Sequence, residues 1–177
     1  MRQLATAERV RALMRGIGAR SRGPGRVYLT GGASAVLEGW RQSTVDVDLT
    51  LDPEPAHVFE ALAKLKDELD INIELAAPSH FVPELPGWRD RSRFVARHGS
   101  VEFYHYDFYA QALAKLERAH ERDLADVEQM VTRGLVAPAR LLELFRTMEP
   151  GLIRYPAIDA SSFGRAVEAF VSRCQRR

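Results

Sequence analysis

Two aspartates one residue apart, Asp46 and Asp48, close a stretch that opens on a glycine pair and a serine: GGASAVLEGWRQSTVDVDL, residues 31–49. STVDVDLTL alternates with a period of two, which places Val45, Val47 and Leu49 on one strand face and projects Asp46 and Asp48 side by side from the other. Like charges so close repel unless a cation joins them. Mg²⁺ does this, taking carboxylate and phosphate oxygens at about 2.0–2.1 Å. Gly31 and Gly32 open a short helix, where glycine lets a phosphate approach the backbone N–H groups and Ser34 adds a hydroxyl donor. A third carboxylate would complete a two-metal site, in which ions about 3.5–4 Å apart hold the attacking and leaving oxygens of an in-line phosphoryl displacement. Glu74, on the polar face of the next strand, is the candidate, and Asp70 competes for the role. An exposed glutamate on an edge strand is the alternative reading of Glu74.

The elements that must position these groups are legible as hydrophobic periods. Val10, Leu13, Met14 and Ile17 mark an amphipathic helix over residues 4–19, ended by the SRGPG turn. RVYLT is a strand, and Pro53 and Pro55 open a helix reaching Leu69. DINIELAAP alternates, with Ile71, Ile73 and Leu75 inward and Asp70, Asn72 and Glu74 outward. Residues 77–92, with three prolines, are a loop, and RFVARHGSVEFYHY is a hairpin turning at His98-Gly99. From Asp107, an N-cap, the remainder is helical: one helix through DFYAQALAKLERAHERDLADVEQMVTRG, then PARLLELFRTME and SSFGRAVEAFVSRC. The expected organisation is an α/β core with a basic N-terminal helix over residues 1–106 and a C-terminal helical region over residues 107–177.

A chain of 177 residues, 46% hydrophobic and 28% charged, has the substance for a sizeable core and excludes disorder as its main state. Its single cysteine, Cys174, excludes an internal disulfide and a cysteine-built zinc site and suits a reducing cytoplasm. Arg9, Arg11 and Arg15 interrupt the N-terminal stretch, so it lacks the apolar run of a signal peptide, and no segment is long enough to span a membrane. The net charge of +1 hides an asymmetry: seven arginines against Glu8 in residues 1–26, and twice as many acids as bases in residues 27–113. A cationic arm suits a polyanion such as RNA and an acidic middle suits a divalent metal, although a solvated arginine face explains the arm equally well. Arg89, Arg91, Arg93 and Arg97 cluster beside Trp88, a pattern fit to clamp phosphates and stack a terminal base, or to leave Trp88 as a packed loop anchor.

With its glycine turn opening a helix and Asp-x-Asp on a strand about a dozen residues later, the sequence resembles the polymerase-beta-like nucleotidyltransferase superfamily. Within it, the chain is similar to minimal bacterial nucleotidyltransferases related to abortive-infection and toxin–antitoxin toxins. A second block, YDFYAQALAKLERAHERDLADVEQMV, resembles that group's helical element of a lysine followed by Arg-Asp-x-x-Asp. The resemblance implies a mixed α/β (α+β) sheet flanked by helices and followed by a helical part. It implies Asp46 and Asp48 as metal ligands, Gly32 and Ser34 at the triphosphate, Lys115 against nucleotide phosphates, and Asp123 and Asp126 as the acidic element of the helical block. Ala33 departs from the pattern, standing where many members join glycine and serine directly. Physically, Lys115 is a compact charge suited to a phosphate, while Asp123 and Asp126, three apart on one helix face, suit either substrate positioning or an ion-pair network with arginines such as Arg118.

The expected activity is Mg²⁺-dependent transfer of a nucleoside monophosphate from an NTP, with pyrophosphate released. By resemblance the acceptor is the 3′ end of tRNA, and the setting is a toxin with a cognate antitoxin or a phage-defence system. Three alternatives remain open at this level: a small antibiotic-type acceptor, a protein acceptor, or a silent module that binds a nucleotide or a partner.

Overall fold

The computed structural model describes residues 2–176. The chain divides into two compact units: one runs through Ala77 and takes in Ser92–Tyr106, the other comprises Pro78–Arg91 and the chain from Asp107 onward.

The first unit is a mixed five-stranded sheet with helices packed on it. Its strands are β2 (Gly25–Thr30), β4 (Asp46–Leu51), β5 (Asn72–Leu75), β6 (Arg93–His98) and β7 (Val101–His105), in the order β5-β4-β2-β7-β6. β2 is central, antiparallel to β4 and parallel to β7; β4 and β5 run parallel, and β6 and β7 form the expected hairpin. A short β1 (Ala5–Thr6) pairs with β3 (Ser43–Thr44), so the first helix begins later than its periodicity alone suggests. That helix, α1 (Ala7–Arg20), starts where the Thr6 side chain accepts a hydrogen bond from the Arg9 N–H. It buries Val10, Leu13, Met14 and Ile17, the stripe legible in the sequence.

α2 (Gly31–Leu37) and α3 (Val58–Glu68) complete this unit. Pro53 and Pro55 do not open α3. The backbone of residues 52–56 instead pairs beside the start of β2, with Arg26 N–H donating to Pro53 O and Arg22 N–H to Ala56 O. Val27, Leu29, Val47, Leu49, Val101 and Phe103 of the sheet are fully buried, in one cluster with the α1 stripe and Leu65 of α3. Burying that much apolar side chain, at roughly 1.5–3 kcal/mol each, dominates the unit's stability. Alternation holds at the centre and fails at the margins: Val45 lies in a bend before β4 and Leu75 ends edge strand β5, and both are exposed.

The second unit is helical. It contains a 3₁₀ turn (Pro78–His80), α4 (Trp88–Arg91), α5 (Phe108–Arg118), α6 (Glu121–Thr132), α7 (Pro138–Met148), a second 3₁₀ segment (Glu149–Arg154) and α8 (Ala160–Gln175). Asp107 caps α5 as expected, its carboxylate accepting from the Tyr109 N–H at 3.0 Å. The single helix expected from residue 107 is instead two, because Ala119 adopts φ +55° and ends α5 with its N–H on Lys115 O. Alanine is an uncommon residue in that conformation. The ion cluster described below stands on either side of the break.

Candidate active site

The two aspartates come from β4. In the antiparallel ladder Asp48 lies opposite Thr30, the last residue of β2, and the chain turns into α2 at the next residue. The turn needs glycine twice over. Gly31 has φ +56°, and a Cβ there would stand 2.9 Å from Asp48 Oδ2. A Cβ on Gly32 would collide with Thr44 Oγ1. Bare backbone thus lies directly against the Asp48 carboxylate. Because α2 is only seven residues long, what this turn offers a ligand is close backbone approach rather than a long helix macrodipole.

On the other side of β4, parallel pairing sets Glu74 opposite Asp48 and Asn72 opposite Asp46. The Asn72 amide donates to Asp46 Oδ1 and, at 3.2 Å, to Glu74 Oε1, tying the carboxylates of two strands into one polar row. Asp46 and Asp48 are half-buried and Glu74 is exposed. Asp70, the competing third carboxylate, lies before β5 at φ +51° and does not share the row. Among the described residues no three His, Cys, Asp or Glu side chains converge as a ready-made metal cage. For Mg²⁺ that arrangement fits, since this ion is held by one or two carboxylates and completes its shell with water and substrate phosphates.

Ser34 departs from its expected place. Its side chain is fully buried, and its Oγ lies 3.0 Å from Leu29 O and 2.9 Å from His105 Nδ1, so its hydroxyl serves the interior and not the outer face of the turn. The ring's other nitrogen, Nε2, stands 3.0 Å from Glu38 Oε1. Burial pushes the His105 pKa down to about 4, with the charge of Arg93 adding to the shift. Neither His105 nor Glu38 carried a sequence signal for this site. Ser34 and His105 are separated by 71 positions, and only the parallel pairing of β2 with β7 brings them together.

In the second unit, Lys115 is buried and its Nζ contacts Asp126 Oδ2 at 2.7 Å and Asp123 Oδ1 at 3.1 Å. Arg118 grips Asp123 with two nitrogens, at 2.8 and 2.7 Å. Burial acts to raise the Asp123 carboxyl, but hydrogen bonds from Arg118 and the charge of Lys115 outweigh it and hold the pKa below the ordinary range. In one unbroken helix Lys115 and Asp126 would be about 16 Å apart along the axis. The break at Ala119 folds them into contact.

The arginines around Trp88 separate into different roles. Trp88 is buried, and the Arg89 guanidinium lies 4.4 Å from its ring centroid, covering the face expected to stack a base. Arg91 is committed to Asp107, 2.7 Å away, and to Pro86 O. Asp107 is raised by burial, against the opposing pull of Arg91. Arg93, on β6, is exposed and 3.9 Å from Glu38. Arg97 is exposed on the same strand. Elsewhere in the first unit, an open groove of about 520 Å³ is lined by Arg20, Arg22, His57, Glu60, Lys64 and Glu68. It lies where β2 begins, away from the carboxylate row, and its lining mixes both signs of charge. No helix among the described residues is long and apolar enough to cross a membrane.

Residues 8–150 match the family described as "Nucleotidyltransferase of unknown function (DUF6036)". No curated protein and no solved structure matches the chain.

Proposed function

The chain belongs to this nucleotidyltransferase family, and from that membership we propose that it transfers a nucleoside monophosphate from an NTP to a hydroxyl of an RNA end, with Asp46 and Asp48 as its metal-binding pair. The observation that carries the reading is the Asp48 carboxylate set against the bare backbone of Gly31, with Glu74 opposite it on β5. A triphosphate tail and a metal-binding carboxylate need this proximity, because the ion links the two. Bound there, Mg²⁺ would neutralise phosphate charge and polarise the α-phosphorus.

The residues of the first unit supply position and charge. Gly31 and Gly32 present backbone to the β- and γ-phosphates, Asp46 and Asp48 would hold the metal ion, and Asn72 orients Asp46 and Glu74. The acceptor hydroxyl gives its proton to Glu74 and forms the new bond to the α-phosphorus. The bond from that phosphorus to the bridging oxygen breaks, and pyrophosphate leaves with the electron pair.

Roles for Lys115 and Asp123 at the phosphates, the polymerase-beta-like kinship, the tRNA 3′ end as acceptor and the toxin setting rest on the sequence resemblance. Exposed Arg89 and Arg93 are in keeping with a polyanionic acceptor. The test is a transfer assay with Mg²⁺, each α-labelled NTP in turn and total bacterial RNA. Label in a tRNA-sized band, absent for Asp48→Ala, supports the reading; full activity in that variant sinks it. Label in a small molecule or a protein instead retains the chemistry and replaces the acceptor.

A further inference from the structure

The glycine turn has no side chain with which to fix itself. Gly31 and Gly32 are permissive in backbone angle, α2 is far below the roughly 12–15 residues at which a helix is stable alone, and its N-cap Thr30 makes no side-chain cap bond. Anchors on either side of Gly31 therefore contribute to its placement against Asp48.

Two contacts of the His105 ring supply them. The ring bridges Ser34, three residues after Gly31, and Glu38 at the end of α2, while the Leu29 carbonyl, 3.0 Å from Ser34 Oγ, is the alternative acceptor for that hydroxyl's single proton. The ring stands 2.9 Å from Ser34 and 3.0 Å from Glu38, and Ser34 and His105 are both buried. His105 is the last residue of β7 and lies opposite Leu29 in the parallel ladder, so the ring is carried by the strand paired with central β2. Proton positions agree with a neutral ring: Nε2–H donates to the Glu38 carboxylate and Nδ1 accepts from Ser34. The Leu29 carbonyl retains the Tyr106 N–H at 2.8 Å.

We propose that His105 is a positioning residue for nucleotide binding, holding Gly31 against Asp48 through Ser34 and Glu38. The inference rests on the reading of that turn and carboxylate as the NTP site.

The experiment is calorimetric titration of the whole protein with Mg²⁺ and NTP, for the wild type, Asp48→Ala, Ser34→Ala, His105→Leu, His105→Asn and the Ser34→Ala/His105→Leu double variant, with thermal midpoints recorded alongside. His105→Leu and Ser34→Ala should each weaken binding about tenfold. The double variant should be no weaker than either single one, because both remove the same contact. His105→Asn, which keeps a partner for Ser34, should recover most of the loss. A fall in midpoint with wild-type affinity in both single variants, or a hundredfold additive loss in the double one, overturns the proposal. Ser34→Ala removes one oxygen and carries the test if His105→Leu does not fold. A wild type that binds no NTP, or an Asp48→Ala variant that binds as the wild type does, overturns the site reading itself and the proposal with it.

Discussion

The protein holds two carboxylate clusters built in opposite ways. On the sheet, Asp46 and Glu74 share only the neutral amide of Asn72, and the row they form with Asp48 is half-buried or exposed. In the helical unit, Asp123 and Asp126 are buried against Lys115, and Arg118 closes the remaining side of Asp123. Water and a neutral donor suffice for carboxylates at a surface, but buried ones are tolerated only with cations and full hydrogen bonding. The first arrangement keeps its carboxylates within reach of solvent and of an incoming cation, whereas the second holds its carboxylates against cations that join two helices.

The largest effect should come from the open cluster and fall on activity alone. Asp48→Ala should lower nucleotidyl transfer by about a thousandfold or more while leaving the urea midpoint within error, since removing one of two neighbouring like charges relieves repulsion. A variant that unfolds would erase the distinction between the clusters.

The closed cluster should respond in stability. Lys115→Met removes the cation shared by buried Asp123 and Asp126, leaving Asp123 to Arg118, and should cost about 3–5 kcal/mol, read from urea unfolding at neutral pH. A loss below about 1 kcal/mol would mean that Lys115 is not the keystone of the helix pair, and would favour reserving its charge for a phosphate.

Acid should act through the sheet unit. The folded pKa of His105, about 4, lies below its ordinary value of about 6.5, so between these pH values the unfolded chain binds more protons. Stability is therefore lost as pH falls, by about 2 kcal/mol between pH 7 and pH 5. His105→Gln should remove that part of the slope in paired urea titrations. An unchanged slope would deny that the ring is held neutral between Ser34 and Glu38.

The smallest effect belongs to Glu74→Gln. On exposed edge strand β5 it should alter unfolding free energy by less than about 0.5 kcal/mol, while transfer falls measurably if Glu74 takes the acceptor proton. A large stability change would place Glu74 in the same class as Asp123.

Local patterning carried much of the architecture. The α1 stripe, the alternation of β4, the β6–β7 hairpin and the Asp107 cap all follow from periods and capping chemistry that neighbouring residues decide among themselves. The first helix's later start and the delayed start of α3 were not legible, because distant backbone claimed residues 5–6 and 52–56. In the candidate site, residue types and spacing pointed to Asp46, Asp48, Gly31 and Gly32, and the structure sets Asp48 against Gly31. The sequence did not reveal that Ser34 faces inward, that Arg91 is bound to Asp107, or that Arg89 covers Trp88.

What the sequence determined by itself is therefore the short-range grammar: which strand face carries two carboxylates, where glycine is required, and which residues open helices. Periodicity and steric freedom are properties of a few adjacent residues, so they survive without a fold. Tertiary structure alone decided the partners. The hydrogen-bonded row from Asp46 to Glu74, the contacts of His105 with Ser34 and Glu38, and the contact of Lys115 with Asp126 join groups whose meeting depends on strand order and one left-handed residue. Hydrogen bonds and ion pairs act over about 3 Å, and nothing in a linear sequence fixes distances on that scale between residues far apart in the chain.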